Sequence, residues 1–155
     1  AQTVVMPFDQ ILEAVRDGEV DVGLIIHEGQ LTYADAGLVM LEDLGRWWKE
    51  ETGLPLPLGG NVIRRDLGSE LIPRVSDYLR RSIAHALDHR EDAMDYAMGF
   101  ARGLDRGTAD EFVGMYVNQR TLDYGPDGRR AVRLFLQRGV EAGILPASVN
   151  VEFAD

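Results

Sequence analysis

The chain has 155 residues, with 16 Lys and Arg against 26 Asp and Glu, a formal charge of −10. That balance argues against nucleic acid and against an anionic membrane surface, since both select clustered Lys and Arg. With 45% hydrophobic and 27% charged residues and no cysteine, the chain reads as one globular domain, and disulfide scaffolds, thiolate metal sites and cysteine nucleophiles are excluded.

The first third predicts a β-α-β unit. Thr3 to Phe8 is apolar and β-branched, with Pro7 near its end. Asp9 is placed to cap a helix carrying Ile11, Leu12, Ala14 and Val15, which Gly18 stops. Val20 to Ile26 is an almost unbroken apolar run, the pattern of a strand buried on both faces of a parallel sheet. Asp43 to Thr52 predicts a helix with Leu44, Trp47 and Trp48, ended by Gly53 and Pro55. Residues 54–67 mix Pro, paired Gly and Val62-Ile63, and predict an extended crossing segment.

From Ser69 onward only helices are expected, and the break near Gly68 marks a candidate domain boundary. Leu71, Ile72, Val75, Leu79, Ile83 and Leu87 form one amphipathic face, with Pro73 in the first turns. A second helix carries Ala93, Met94, Ala97, Met98 and Ala101. Thr108-Ala109-Asp110-Glu111 has the capping-box pattern. Asp127 is placed to cap a last helix with Val132, Phe135, Leu136 and Val140 inward and Gly143 as stop. No apolar stretch is long enough to span a bilayer, and no signal peptide is recognisable.

The candidate catalytic residue is His27, in Gly23-Leu24-Ile25-Ile26-His27-Glu28-Gly29-Gln30. It follows the apolar run directly, which puts it at the carboxyl end of the expected strand, where α/β sheets bind ligands. An imidazole is suited to accept a proton near neutral pH, and Gly29 is expected to let the backbone turn there. Glu28 is its neighbour, but successive residues of an extended chain face opposite ways, so no pairing is expected. A turn-forming histidine bonded to a backbone carbonyl is the plainer account of the same residue.

Gly59, Gly60 and Asn61 are candidates for a substrate-binding segment, although neither phosphate-loop pattern is present. His85 and His89 share a helical face, yet Ala86 stands where a zinc hydrolase motif needs Glu, and no metal site is expected. Trp47 and Trp48 could stack on a ring, although Trp on a helical face is more often core or interface. The arginine pairs at 64–65, 80–81 and 129–130 read as solvated faces.

The runs GLIIHEGQLTYADAGL (23–38) and DLGRWWKEETGLPLPLGGNVIRRDLG (43–68) resemble the 1,4-dihydroxy-6-naphthoate synthase family of the futalosine route to menaquinone. The resemblance implies a two-lobed α/β fold similar to type 2 periplasmic solute-binding proteins, with substrate in the cleft between lobes. Residues 1–60 would then belong to the second lobe. Residues 61–155 would form the return crossing and the C-terminal helices packing on the first lobe. It also implies conversion of cyclic dehypoxanthinyl futalosine to 1,4-dihydroxy-6-naphthoate without metal or organic cofactor, with the histidine at 27 as proton acceptor, in the cytoplasm. Family members are longer at the N-terminus, where further substrate-binding segments lie, so Ala1 is expected to follow a missing part of the same protein. The alternatives carried forward are a non-catalytic solute-binding protein of the same fold and the related chorismate dehydratase.

Overall fold

The computed structural model describes residues 2–101, 103–147 and 149–154, and Ala1 lies outside them. The chain divides into two compact units, Ala1–Glu42 with Ala97–Met115, and Asp43–Tyr96 with Tyr116–Asp155.

In the first unit a short 3-10 turn, Phe8–Gln10, leads into helix α1, Ile11–Arg16. Asp9 lies inside that turn, and neither start carries a side-chain cap, so its expected capping role is not realised. Gly18 follows α1 at φ 76°, the left-handed geometry that glycine adopts without strain. Residues 22–26 then run without a helix to α2, Gly29–Thr32.

The expected α/β class is corrected here: no strand occurs among the described residues. The reason is visible in the exposure of residues 20–27. Val22, Leu24 and Ile26 are more than half exposed, while Gly23, Ile25 and His27 between them are partly buried. That alternation is the period of an extended chain covered on one side only. A Cβ on Gly23 would lie 2.5 Å from Ile11 Cγ2 and 3.0 Å from Val15 Cγ2, so α1 supplies the cover. Val4 and Val5 are exposed as well. An apolar β-branched run states what a segment can bury, but a strand also needs a neighbour to share its ladder. None of the described residues forms one.

The second unit opens with α3, Leu44–Thr52, close to expectation. The Asp43 side chain accepts from the Arg46 N–H at 3.0 Å, satisfying one of the free donors of the first turn. Gly53 closes the helix at φ 70°. Gly53→Ala forces a Cβ into the left-handed region and is expected to lower stability by about 1 kcal/mol, measured as a reduced urea midpoint. Trp48 is 3% exposed and anchors this unit. Its indole N–H donates to Pro55 O at 3.1 Å, the Phe135 ring meets it edge-on at 5.4 Å, and the Arg138 guanidinium lies 5.2 Å from its centroid.

Residues 54–64 run without a helix, as the Pro-Gly composition predicts, to a 3-10 turn at Arg65–Leu67. Helix α4, Gly68–Asp88, carries Pro73 near its start. None of its residues is fully buried, and Leu71, Val75, Tyr78 and Leu79 are exposed. Helix α5, Arg90–Met98, and helix α6, Arg106–Tyr116, follow. The start of α6 differs from the expected capping box. The Asp105 side chain accepts from the Gly107 and Thr108 N–H groups and from the Thr108 hydroxyl, so Asp105 does the capping and Thr108 supports it. Those bonds, the Thr108 hydroxyl first, hold the Asp105 carboxyl below its ordinary range.

A four-residue helix α7, Gln119–Leu122, completes the set before the last helix. Asn118 caps it by accepting from the Arg120 N–H, while the Asn118 N–H donates to the Thr121 hydroxyl. The last helix, α8, spans Gly125–Glu141. Asp127 sits inside its first turn rather than at the cap, 3.0 Å from Arg120. That guanidinium holds its carboxyl below the usual value. Gly143 lies beyond α8 at φ 71°, as expected of a stop residue.

Candidate active site

His27 stands where the extended residues 22–26 turn into α2. The turn forms because Gln30 N–H donates to His27 O at 3.0 Å and Leu31 N–H to Glu28 O at 2.9 Å. The first N–H groups of a helix have no partner within it. Here the Gly29 N–H is taken by the His27 ring, whose Nδ1 accepts it at 3.0 Å. The imidazole thus does the work that Ser or Asp usually does at a helix start.

The rest of the ring is enclosed. The His27 side chain is 11% exposed, and the Phe8 ring lies 5.4 Å away, tilted by 55°. Nε2 is buried and has no hydrogen-bond partner among the described residues. Glu28 Oε2 lies 3.7 Å from Nδ1, contrary to the expectation that the two would face apart. The cause is local: Glu28 is already helical, with φ −54° and ψ −19°, so its carboxylate curls back rather than alternating.

Gly29 is needed for space and not for the turn geometry expected of it. It begins α2 and has no positive φ. A Cβ there would sit 2.6 Å from His27 Cε1 and 2.7 Å from Leu12 Cδ1. Gly29→Ala must therefore displace the imidazole or the leucine. Overpacking of this kind costs about 1–3 kcal/mol. A fall in thermal midpoint accompanied by moved His27 ring signals is the expected result, and unmoved ring signals would contradict it.

The other candidates belong to the second unit. Gly59, Gly60 and Asn61 are exposed. The Tyr124 hydroxyl donates to Gly59 O at 3.3 Å, and a Cβ on Gly60 would come within 3.0 Å of that hydroxyl oxygen. The glycine pair lets the tyrosine approach the backbone, and no anion cradle is formed from it. His85 and His89 stack with centroids 4.0 Å apart and ring planes 27° from parallel. Nearly parallel rings do not converge on one ion, and His89 Nδ1 is engaged with His85 O at 2.9 Å. The described residues hold no group of three metal-ligating side chains.

Three carboxylates elsewhere are paired with guanidinium groups. Asp17 beside Arg16, Asp66 beside Arg64 and Asp127 beside Arg120 are each held below the usual carboxylate range by their guanidinium partner. They stay ionised near neutral pH. What sequence reasoning missed at the site is Phe8, assigned to a strand, and the reach of Glu28. No periodicity signals either, because both follow from how α1 and α2 fold back on the 22–27 segment.

Relatives give the class and then the family. A protein from Streptomyces coelicolor named 1,4-dihydroxy-6-naphtoate synthase is 45% identical over 146 residues, 94% of this chain and 52% of its own. One of the same name from Thermus thermophilus is 49% identical over 139 residues, 87% of this chain and 51% of its own. A solved structure of a protein from Archaeoglobus fulgidus superposes with a TM-score of 0.86 at 46% identity, over 90% of this chain and 53% of that one. The chain spans about half the length of the relatives it matches. The sequence model of the menaquinone biosynthesis family matches residues 1–141, and the chain belongs to that family. No described helix is long and apolar enough to cross a membrane.

Proposed function

We propose that the protein is a 1,4-dihydroxy-6-naphthoate synthase and that this chain is the C-terminal portion carrying its base. The observation behind the reading is the pair of relatives of that name, 45% and 49% identical, over a stretch that includes the His27 segment. The substrate is cyclic dehypoxanthinyl futalosine, bound between two lobes of a fold similar to type 2 periplasmic solute-binding proteins. Residues 1–60 belong to the second lobe, and residues 61–155 form the return crossing and the helices that pack on the first. Gly59, Gly60 and Asn61 line the substrate side. The missing N-terminal part of the same protein supplies the other wall, and the reaction runs in the cytoplasm.

His27 takes a proton from a sugar-derived hydroxyl or an acidic carbon, the spiro ring fragments at a carbon–carbon bond, and the naphthoate aromatises. No cofactor is required by this scheme. A largely buried imidazole with the Phe8 ring 5.4 Å away supports it, because water is largely kept from the ring. The test is to incubate the protein, at the family's full length, with the cyclic substrate and follow dihydroxynaphthoate by its ultraviolet absorbance. Product is expected. Binding without product would favour a solute-binding module, and water loss from a chorismate adduct would favour the dehydratase.

A further inference from the structure

Residues 149–154 hold a segment far from them in sequence. Residues 54–64 carry no helix, and no backbone–backbone hydrogen bond among the described residues involves 56–63. Side chains fix this stretch at two points instead. At one end the Arg65 guanidinium lies 2.8 Å from the Glu152 carboxylate and donates to Asn150 O at 3.1 Å. At the other the Tyr124 hydroxyl donates to Gly59 O at 3.3 Å.

Tyr124 is itself placed by residue 153. The Phe153 ring makes a T-shaped contact with it, with centroids 6.0 Å apart and planes at 86°. The Arg129 and Arg133 guanidinium groups, one turn apart on α8, each lie 5.0 Å from the Phe153 centroid. Cations are drawn to an aromatic face, so the pair seats Phe153 on α8. Two glycines make room for the tyrosine. A Cβ on Gly128 would lie 3.0 Å from Tyr124 Cβ, and one on Gly60 would lie 3.0 Å from its hydroxyl oxygen. A cavity of about 450 Å³ lined by Arg133, Gln137, Val140 and Glu141 of α8 and by residues 149–151 separates this stretch from the helix. Residues 149–154 are therefore pinned at Asn150, Glu152 and Phe153 rather than packed along their length.

We propose that Phe153 is a positioning residue, and that residues 149–154 form a latch holding Gly59, Gly60 and Asn61 in place through Tyr124. The effect of the latch on catalysis rests on the reading of those three residues as the substrate side. An unlatched segment has to be ordered anew whenever ligand binds, which weakens binding and leaves the chemical step alone.

Backbone order parameters from nitrogen-15 relaxation, measured on the protein at the family's full length, test the latch. In Phe153→Ala the values at Gly59, Gly60 and Asn61 are expected to fall from about 0.85 to below about 0.6, while those of α3 keep their native level. Phe153→Tyr keeps a ring for the two guanidinium groups and is expected to keep the native values. Tyr124→Phe removes the donor to Gly59 O and should loosen the same residues. Because Phe153 acts through Tyr124, the double variant should loosen them no further than the more severe single one. Native order parameters in Phe153→Ala, a fall spread equally over α3, or additive losses in the double variant would each overturn the proposal.

Turnover of cyclic dehypoxanthinyl futalosine gives the second readout. Phe153→Ala is expected to raise KM about tenfold, with kcat within about twofold of native, and Phe153→Tyr to restore KM. A loosened segment with native KM would leave the latch standing and remove Gly59, Gly60 and Asn61 from the substrate side, so the two failures are distinguishable.

Discussion

On the proposed reading, His27→Ala in the full-length protein is expected to lower turnover of cyclic dehypoxanthinyl futalosine by about 10²–10⁴-fold, the usual contribution of a positioned general base. On the same reading the rest of the rate is expected to come from orienting the substrate and closing water out. The ring has a second task that the experiment must control for. It accepts the Gly29 N–H at the start of α2, and loss of a helix-start acceptor costs about 0.5–2 kcal/mol. Rates are therefore compared at equal folded fraction, and His27→Asn, which retains an acceptor near Nδ1, serves as the stability control. Both variants are expected to be equally slow although Asn is the more stable. Turnover near the native rate in either variant would remove His27 from the chemistry.

That an apolar run ends on His27 is legible in the sequence, but the cover that encloses its ring is not. The run Val20 to Ile26 suggested a strand covered on both faces. In the structure α1 covers one side through Ile11 and Val15, and Val22, Leu24 and Ile26 remain exposed on the other. Hydrophobicity records the capacity for burial, and the ladder that would use it depends on a neighbouring strand that these residues do not contain. The same limit applies to α4, whose amphipathic period is clear in the sequence while Leu71, Val75 and Leu79 stay exposed.

Local signals fared better because their partners lie within one turn. Asp43 and Gly53 bracket α3 as their chemistry requires, and Gly18 and Gly143 lie just beyond α1 and α8 at positive φ. Where two capping groups compete, the choice is set by geometry. Asp105 caps α6 in place of the later Thr108, and the helix starts one residue after that carboxylate. Gly29 is expected from the sequence to serve a turn, and the structure uses it differently. Its missing side chain, rather than a special φ, makes room for the imidazole and for Leu12.

Trp48→Ala is expected to cost about 3–5 kcal/mol, the range for deleting a large buried aromatic side chain. The side chain is 3% exposed and is held by three different contacts. Its indole N–H satisfies Pro55 O, the Phe135 ring meets it in a T-shaped contact, and Arg138 lies over its ring. Removing it opens a cavity beside α8 and leaves the Pro55 carbonyl short of a donor. It also loosens the end of α3, where the Thr52 hydroxyl donates to Trp48 O and accepts from the N–H of buried Leu54. Trp48→Phe separates these effects, because it keeps much of the packing and loses the indole donor. Its cost should be about 1–3 kcal/mol, the penalty of an unsatisfied, partly buried acceptor with a modest void. Trp47 is the internal control: next in sequence, in the same helix and 45% exposed, it should cost about 0.5 kcal/mol or less when replaced by Ala. Urea denaturation of the three variants checks the order. Equal losses at positions 47 and 48 would show that Trp48 does not hold this unit together, whereas a steep difference places the unit's anchor on α3.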